Sequence, residues 1–235
     1  MKRILLKLSG EALSDRENGE IYDVKVLEEI SSVVKEILSR RISVSIVVGG
    51  GNIFRGRTSE TVGLSHEQGD WVGMLATLMN ALTIRGYFEN HGIKTKVMSA
   101  LECENCGEKF DLAKANYYLG EGYVVIFACG VGKVNFTTDS GAALRALQTN
   151  TDLILMGKNG VEGVMSDDPR VNKDAYLIKR ITYREIIDRD LKVMDQTAAR
   201  MLVDSDVSIR VFNMADLNNA VRIIDGEDIG TLITK

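Results

Sequence analysis

Apolar residues along the chain fall into short runs separated by longer, one-faced segments. Ile4–Leu8, Ser43–Val48, Thr95–Met98, Tyr123–Cys129, Leu153–Met156 and Ser208–Phe212 each read as a strand, and Thr231–Thr234 as a last short one. Near-continuous apolar runs of about four to eight residues are the signature of strands covered on both faces. Val26, Leu27, Ile30, Val33, Val34, Ile37 and Leu38 recur at helical spacing and predict a one-faced helix over Val24–Ser39. Asp139–Leu147 and Asp195–Asp204 predict two more. Asp70 to Phe88 has the length of a helix but is apolar nearly all round, which predicts burial in the core or against another subunit. The alternation predicts an α/β fold: a mostly parallel central sheet sandwiched by helices in three αβα layers.

A chain of 235 residues with 45% hydrophobic and 26% charged residues can build its own core without disulfides or metal. The net charge of −4 argues against a nucleic-acid polymer as partner, which calls for a basic footprint. There is no apolar run of transmembrane length, and the apolar stretch Ile4–Leu6 is too short for a signal peptide, so the expectation is a cytoplasmic protein away from membranes. Three cysteines describe no disulfide framework, and Cys103-x-x-Cys106 lacks the further ligands of a zinc site, so it reads as a polar turn. The single proline, Pro169, and the scattered glycines mark no linker, which predicts a single domain over residues 1–235.

Unusual residues gather at the strand ends, where open α/β sheets bind ligands. Ser9-Gly10 follows the first strand and Gly49-Gly50-Gly51-Asn52 the second. Gly130-Val131-Gly132-Lys133 follows the strand ending near Cys129, and Gly157-Lys158-Asn159-Gly160 the strand at Leu153–Met156. Glycine lets backbone N–H groups converge on phosphate, helix N-termini add positive potential, and Lys or Arg supplies counter-charge. Four such loops together favour a nucleotide or polyphosphate site. The P-loop spacing is absent, since Gly132-Lys133 is followed by Val134, and no G-x-G-x-x-G follows the first strand.

Several blocks resemble the bacterial uridylate (UMP) kinases of the amino-acid kinase superfamily. They are Lys7-Leu8-Ser9-Gly10-Glu11, Gly49-Gly50-Gly51-Asn52, Gly73-Met74-Leu75-Ala76-Thr77, Phe136-Thr137-Thr138-Asp139-Ser140, Lys158-Asn159-Gly160-Val161, Lys192-Val193-Met194-Asp195 and Arg210-Val211-Phe212-Asn213-Met214. The resemblance spans nearly the whole chain. It implies transfer of the γ-phosphoryl group of ATP to UMP with magnesium, giving UDP for de novo pyrimidine nucleotide synthesis. It further implies a cytoplasmic homohexamer, activation by GTP and inhibition by UTP. An acceptor-binding and self-association half would cover roughly residues 1–150 and an ATP-binding half roughly 151–235.

Carried over residue by residue, the resemblance makes Lys7 and Lys158 clamps on the transferring phosphate, oriented by Asp139 and Asp195. Lys7, Leu8, Ser9, Gly10, Gly51, Arg55, Asn159, Met165 and Asp168 would contact ATP. Gly50, Asp70 and the loop Val131, Gly132, Lys133, Val134, Asn135, Phe136, Thr137 and Thr138 would hold UMP. Magnesium is expected mainly through the ATP phosphates rather than a protein cage. Capping alone accounts equally well for Asp70 and Asp139, each placed at a predicted helix start, and a solvated surface position is the plain alternative for either lysine.

The loop Val131–Asn135 departs from the Thr-Gly-Asn-Pro-aromatic form usual in these kinases, Met165 replaces an aromatic residue, and Leu101–Asp111 has no family likeness. The segment Ser14–Tyr22 lacks the glycine-rich form usual near the GTP region. The alternatives are a superfamily relative with another small anionic acceptor, or a nucleotide-binding regulator without turnover.

Overall fold

The computed structural model describes residues 2–15, 18–167 and 171–235. In chain order the elements are β1 (Arg3–Leu8), a 3-10 turn (Gly10–Leu13), α1 (Val24–Ser39), β2 (Ser43–Val48), α2 (Gly56–Thr61) and α3 (His66–Asn90). Then come β3 (Thr95–Ser99), β4 (Glu108–Lys109), α4 (Leu112–Gly120), β5 (Val124–Ala128), α5 (Thr138–Gln148), β6 (Leu153–Lys158), β7 (Val164–Met165) and β8 (Leu177–Ile178). The chain finishes with β9 (Arg180–Thr182), α6 (Tyr183–Asp188), α7 (Gln196–Leu202), β10 (Ser208–Asn213), α8 (Asn219–Ile224) and β11 (Thr231–Thr234). The periodic elements match their expected spans within a few residues.

Nine strands form one sheet in the order β4-β3-β5-β2-β1-β6-β10-β11-β9, and β7 pairs with β8 as a separate hairpin. The pairs from β4 through β10 are parallel, and β11 runs antiparallel to β10. β1 is central, with β2 on one side and β6 on the other, so the chain reverses its direction of travel there. Such a switch point opens a crevice at the carboxyl ends of the strands.

Pleating divides the core between the two faces. Ile4, Leu6 and Leu8 of β1 join a cluster with Ile30, Val34, Ile37, Leu78 and Ile84 of α1 and α3. Leu5 faces the other way, into a cluster with Ala142, Ala146, Ala198 and Leu202 of α5 and α7. In β6, Ile154 and Met156 share that second face. With a side-chain period of two, Lys7 continues the row of Leu5, and Lys158 the row of Met156. Both lysines are thereby directed to the α5 side of the sheet.

Two expectations are corrected. The long apolar helix begins at His66 rather than Asp70, because Ser65 and Gln68 form a capping box one turn earlier. Asp70 is therefore inside the helix, not its cap. Likewise Thr137, not Asp139, caps α5, accepting from the N–H groups of Asp139 and Ser140. On α3, Met74, Leu78, Ala81, Ile84 and Phe88 are buried in the core, while Leu75 and Met79 are 46% and 52% exposed in the single chain, with Trp71 and Val72 beside them. Cys103 and Cys106 do form a turn, closed by the Cys106 N–H on the Cys103 carbonyl, but it rests its thiols half-buried against the core. Among the described residues no helix is long and apolar enough to cross a membrane.

Candidate active site

Lys7, at the end of the central strand, puts its ammonium 2.7 Å from Asp139 Oδ1, and Lys158 lies 3.9 Å from Asp139 Oδ2. Asp139 lies in the first turn of α5, where its charge also suits the helix dipole. Burial works to raise its pKa, but the charges of Lys7 and Lys158, the Lys7 hydrogen bond and the Asp195 backbone N–H outweigh it. The carboxyl is held below the usual range. For Lys158, burial lowers the pKa further than Asp139 and Asp195 raise it, and the like charge of Lys7 adds to the lowering. Two ammonium groups are thus concentrated beside one carboxylate, a set of charges suited to a phosphoryl group in transit.

Asp195 closes this cluster from α7. Its carboxylate caps the helix at the Ala198 N–H, 2.8 Å away, and accepts from the Ser140 hydroxyl at 3.0 and 3.1 Å and from the Thr137 hydroxyl. α5 and α7 can come this close because alanines line both: Ala142, Ala143 and Ala146 against Ala198 and Ala199, all buried. Ser140, itself buried, carried no expected role, although it sits within the Thr-Thr-Asp-Ser run.

The two glycine loops pack on one another. A Cβ on Gly10 would come 2.4 Å from the Gly49 carbonyl, and one on Gly50 would come 2.8 Å from the Ala76 Cβ of α3. Close approach of backbone to backbone therefore requires glycine here before any ligand is considered. Among the described residues, the N–H groups of Gly50 and Gly51 have no hydrogen-bond acceptor, leaving two adjacent donors for an anion. Arg55 bends back, its Nε donating to the Gly51 carbonyl at 2.9 Å and its guanidinium 3.1 Å from Glu11.

A cavity of about 680 Å³ opens beside these loops. Of the expected residues, Gly50, Gly51, Arg55, Asp70, Lys133, Phe136, Thr137 and Thr138 line it, joined by Phe54, His66, Thr77 and Phe127. Of the remaining residues of this loop, Gly132 and Asn135 are held through their backbone. The Asn135 N–H donates to Asp70 at 2.6 Å, and the Gly132 N–H returns to the Cys129 carbonyl at 3.0 Å. Val131 and Val134 are half-buried between them. The loop leaves β5 at Cys129 and ends at Asn135, both in the left-handed region. At its base the Cys129 N–H donates to Thr77 at 2.8 Å, and buried Arg145 reaches the Gly130 carbonyl at 3.3 Å. Burial pushes the Arg145 guanidinium down to about 10.

The expected ATP contacts are more scattered. Leu8 points its side chain into the core and offers a ligand only backbone. Ser9 is half-buried before the 3-10 turn. Asn159 lines a second cavity of about 520 Å³ with Glu11, Ser14 and Met214. Met165 lies in the β7–β8 hairpin, opposite Leu177. Asp168 lies outside the described residues.

The sequence profile of the amino acid kinase family matches residues 2–213. Uridylate kinases from two strains of Streptococcus thermophilus are each 41% identical over 233 residues, covering 99% of this chain and 95% of theirs. The crystal structure of UMP kinase from Bacillus anthracis superposes with a TM-score of 0.95 at 37% identity, covering 99% of this chain and 96% of that one. UMP kinase from Ureaplasma parvum gives 0.92 at 32% identity, covering 100% and 99%. The family profile covers most of the chain and the relatives align over 99% of it, so the chain belongs to the amino acid kinase family.

Proposed function

We propose that this chain is a UMP kinase, transferring the γ-phosphoryl group of ATP to UMP to give UDP and ADP. The observation that carries the reading is the convergence of Lys7 and Lys158 on Asp139, one residue after Thr138 in the wall of the large cavity. The UMP phosphate is already ionised at neutral pH, so no strong base is needed. Lys7 and Lys158 neutralise charge building on the transferring group, and Asp139 and Asp195 keep the two ammonium groups oriented. The open N–H groups of Gly50 and Gly51 bind phosphate oxygens. The wall formed by Asp70, Phe136 and the loop Val131–Thr138 receives the nucleoside, and Asn159, Met165 and Asp168 receive ATP.

Among the described residues, no group of three or more His, Cys, Asp or Glu side chains converges as a protein-built metal cage requires. The donor set fits magnesium carried on the triphosphate, where the ion would neutralise charge on the β- and γ-phosphates. Residues 1–150 then supply the acceptor site and self-association, and residues 151–235 the ATP site. The exposed face of α3, with Trp71, Val72, Leu75 and Met79, is the surface for assembly into a hexamer in the cytoplasm. GTP and UTP are the effectors to add to the assay.

The test is UDP formation from ATP, magnesium and UMP by the purified chain, with CMP, dUMP and carbamate as competing acceptors and Lys7→Ala as the control for contaminating kinases. Turnover confined to UMP and lost in the variant supports the proposal. Turnover with another acceptor, or none with any, replaces it by a relative with a rebuilt acceptor loop or by a binding protein.

A further inference from the structure

Asn80 is a polar residue in the middle of the apolar run Leu78–Leu82, and it is fully buried. A carboxamide in such a place is costly unless its donors and acceptor are all met. Here they are met by one loop. The Asn80 amide donates to the Gly49 carbonyl at 2.7 Å and to Asn52 Oδ1 at 2.7 Å, and Asn80 Oδ1 accepts from Asn52 Nδ2 at 3.1 Å. The second Asn52 N–H goes to the Ile21 carbonyl at 3.1 Å. Reversing the Asn80 amide would set oxygen against oxygen at both Gly49 and Asn52, so the network admits one arrangement.

The pair grips the triple-glycine loop at both ends, at Gly49 and Asn52, leaving Gly50 and Gly51 between them with their N–H groups open. It also braces the neighbouring loop, because a Cβ on Gly10 would lie 2.8 Å from Asn52 Oδ1. Asn80 lines neither the large cavity nor the second one, so it reaches the chemistry only through the loops.

We infer that Asn80 is a positioning residue for phosphoryl transfer: its buried carboxamide fixes the phosphate-binding glycine loops to α3, so that the seating of α3 sets the aim of the Gly50 and Gly51 N–H groups. The inference rests on the phosphoryl-transfer reading of the site. α3 carries the exposed Leu75–Met79 face on its outer side, so this amide is the link between that face and the phosphate cradle.

The test compares Asn80→Leu, Asn52→Ala and the double variant in the full-length chain, measuring thermal stability, kcat, KM for UMP and direct binding of ADP by calorimetry. Each single variant is expected to lower kcat by about tenfold to a hundredfold in protein that melts cooperatively, the scale of effect from misplacing a reacting group by about 1 Å. ADP binding weakens, KM for UMP rises as the Gly50 N–H loses its aim, and the double variant loses no more kcat than the worse single. A kcat within about twofold of the parent, with only the melting temperature lowered, reduces Asn80 to a packing hydrogen bond and overturns the inference. If Asn80→Leu does not fold, Asn52→Ala and Asn80→Asp carry the same comparison. If the parent chain makes no UDP, the functional reading falls, while unchanged ADP affinity in the variants would separately remove the role given to Asn80.

Discussion

The Lys7 ammonium, 2.7 Å from Asp139 Oδ1, joins the central strand of the sheet to the first turn of α5. Lys158 meets the other oxygen of the same carboxylate at 3.9 Å, so one acid holds two like charges in a half-closed site. Asp139→Asn removes the charge that allows this and leaves the two ammonium groups to repel each other. The expected result is a fall in kcat of about a hundredfold, with a smaller change in KM for UMP, read by steady-state UDP formation. Lys7→Ala is expected to fall at least as far.

The same carboxylate has a signature in stability. Its pKa lies below the unfolded value, so folding favours its charged form. That contribution is fully present above the ordinary carboxylate value of about 4 and is lost as pH falls through the folded pKa. Thermal melts of the parent and Asp139→Asn should differ by a constant amount from neutral pH down to about pH 4, then converge below it. Convergence beginning near neutral pH would place the responsible group elsewhere.

Ser140→Ala deletes the hydroxyl that donates to both oxygens of Asp195. A hydrogen bond to a half-buried carboxylate is worth about 1–3 kcal/mol, so the melting temperature should drop by several degrees. Because the charge of Asp195 also supports the charged form of Lys158, kcat should fall along with it. Ser140→Thr, which keeps the hydroxyl, should recover part of the activity.

Asp70 tethers the acceptor loop through the Asn135 N–H at 2.6 Å. Asp70→Ala frees that end of the loop, and KM for UMP should rise about tenfold, corresponding to one charge-assisted hydrogen bond of ~1.5 kcal/mol. The KM for ATP should move little.

Leu75→Lys or Met79→Glu places a charge on the exposed face of α3 without touching its buried side. Light scattering should report a smaller assembly for either variant, with helical content by circular dichroism unchanged. An unaltered mass would assign assembly to another surface.

Strands and long helices were readable because their period is written locally. The apolar rows of β2 and α1 appear with their full spans and that of β1 without Arg3 alone, and the glycine loops stand at the strand ends where the site forms. α2, α4, α6 and α8 escape the sequence reading because they have nine residues or fewer and show little periodicity. The Thr182–Glu185 capping box was the available sign for α6. The early start of α3 was hidden for a related reason: Ser65 and Gln68 announce it in polar residues, outside the apolar pattern. Partnerships across the chain left no local trace. Asp195 meets Ser140 at a separation of 55 residues, and Asn52 meets Asn80 at 28, distances that only the folded sheet closes. The amide set in the apolar run Leu78–Leu82 is the visible mark of the second pair.

The acceptor loop is held at Cys129, Gly130, Gly132 and Asn135 through main-chain N–H and carbonyl groups. A segment anchored by its backbone is indifferent to the identity of the side chains it displays. With this loop placed against the acceptor as proposed, Val131, Lys133 and Val134 are free to drift under selection for one acceptor or another while the attachment points stay in register, and substrate preference becomes separable from foldability. The unusual residues between Val131 and Asn135 are the kind of change such an arrangement lets accumulate, and the same seven-residue frame offers a place to graft a new acceptor specificity without redesigning the protein beneath it.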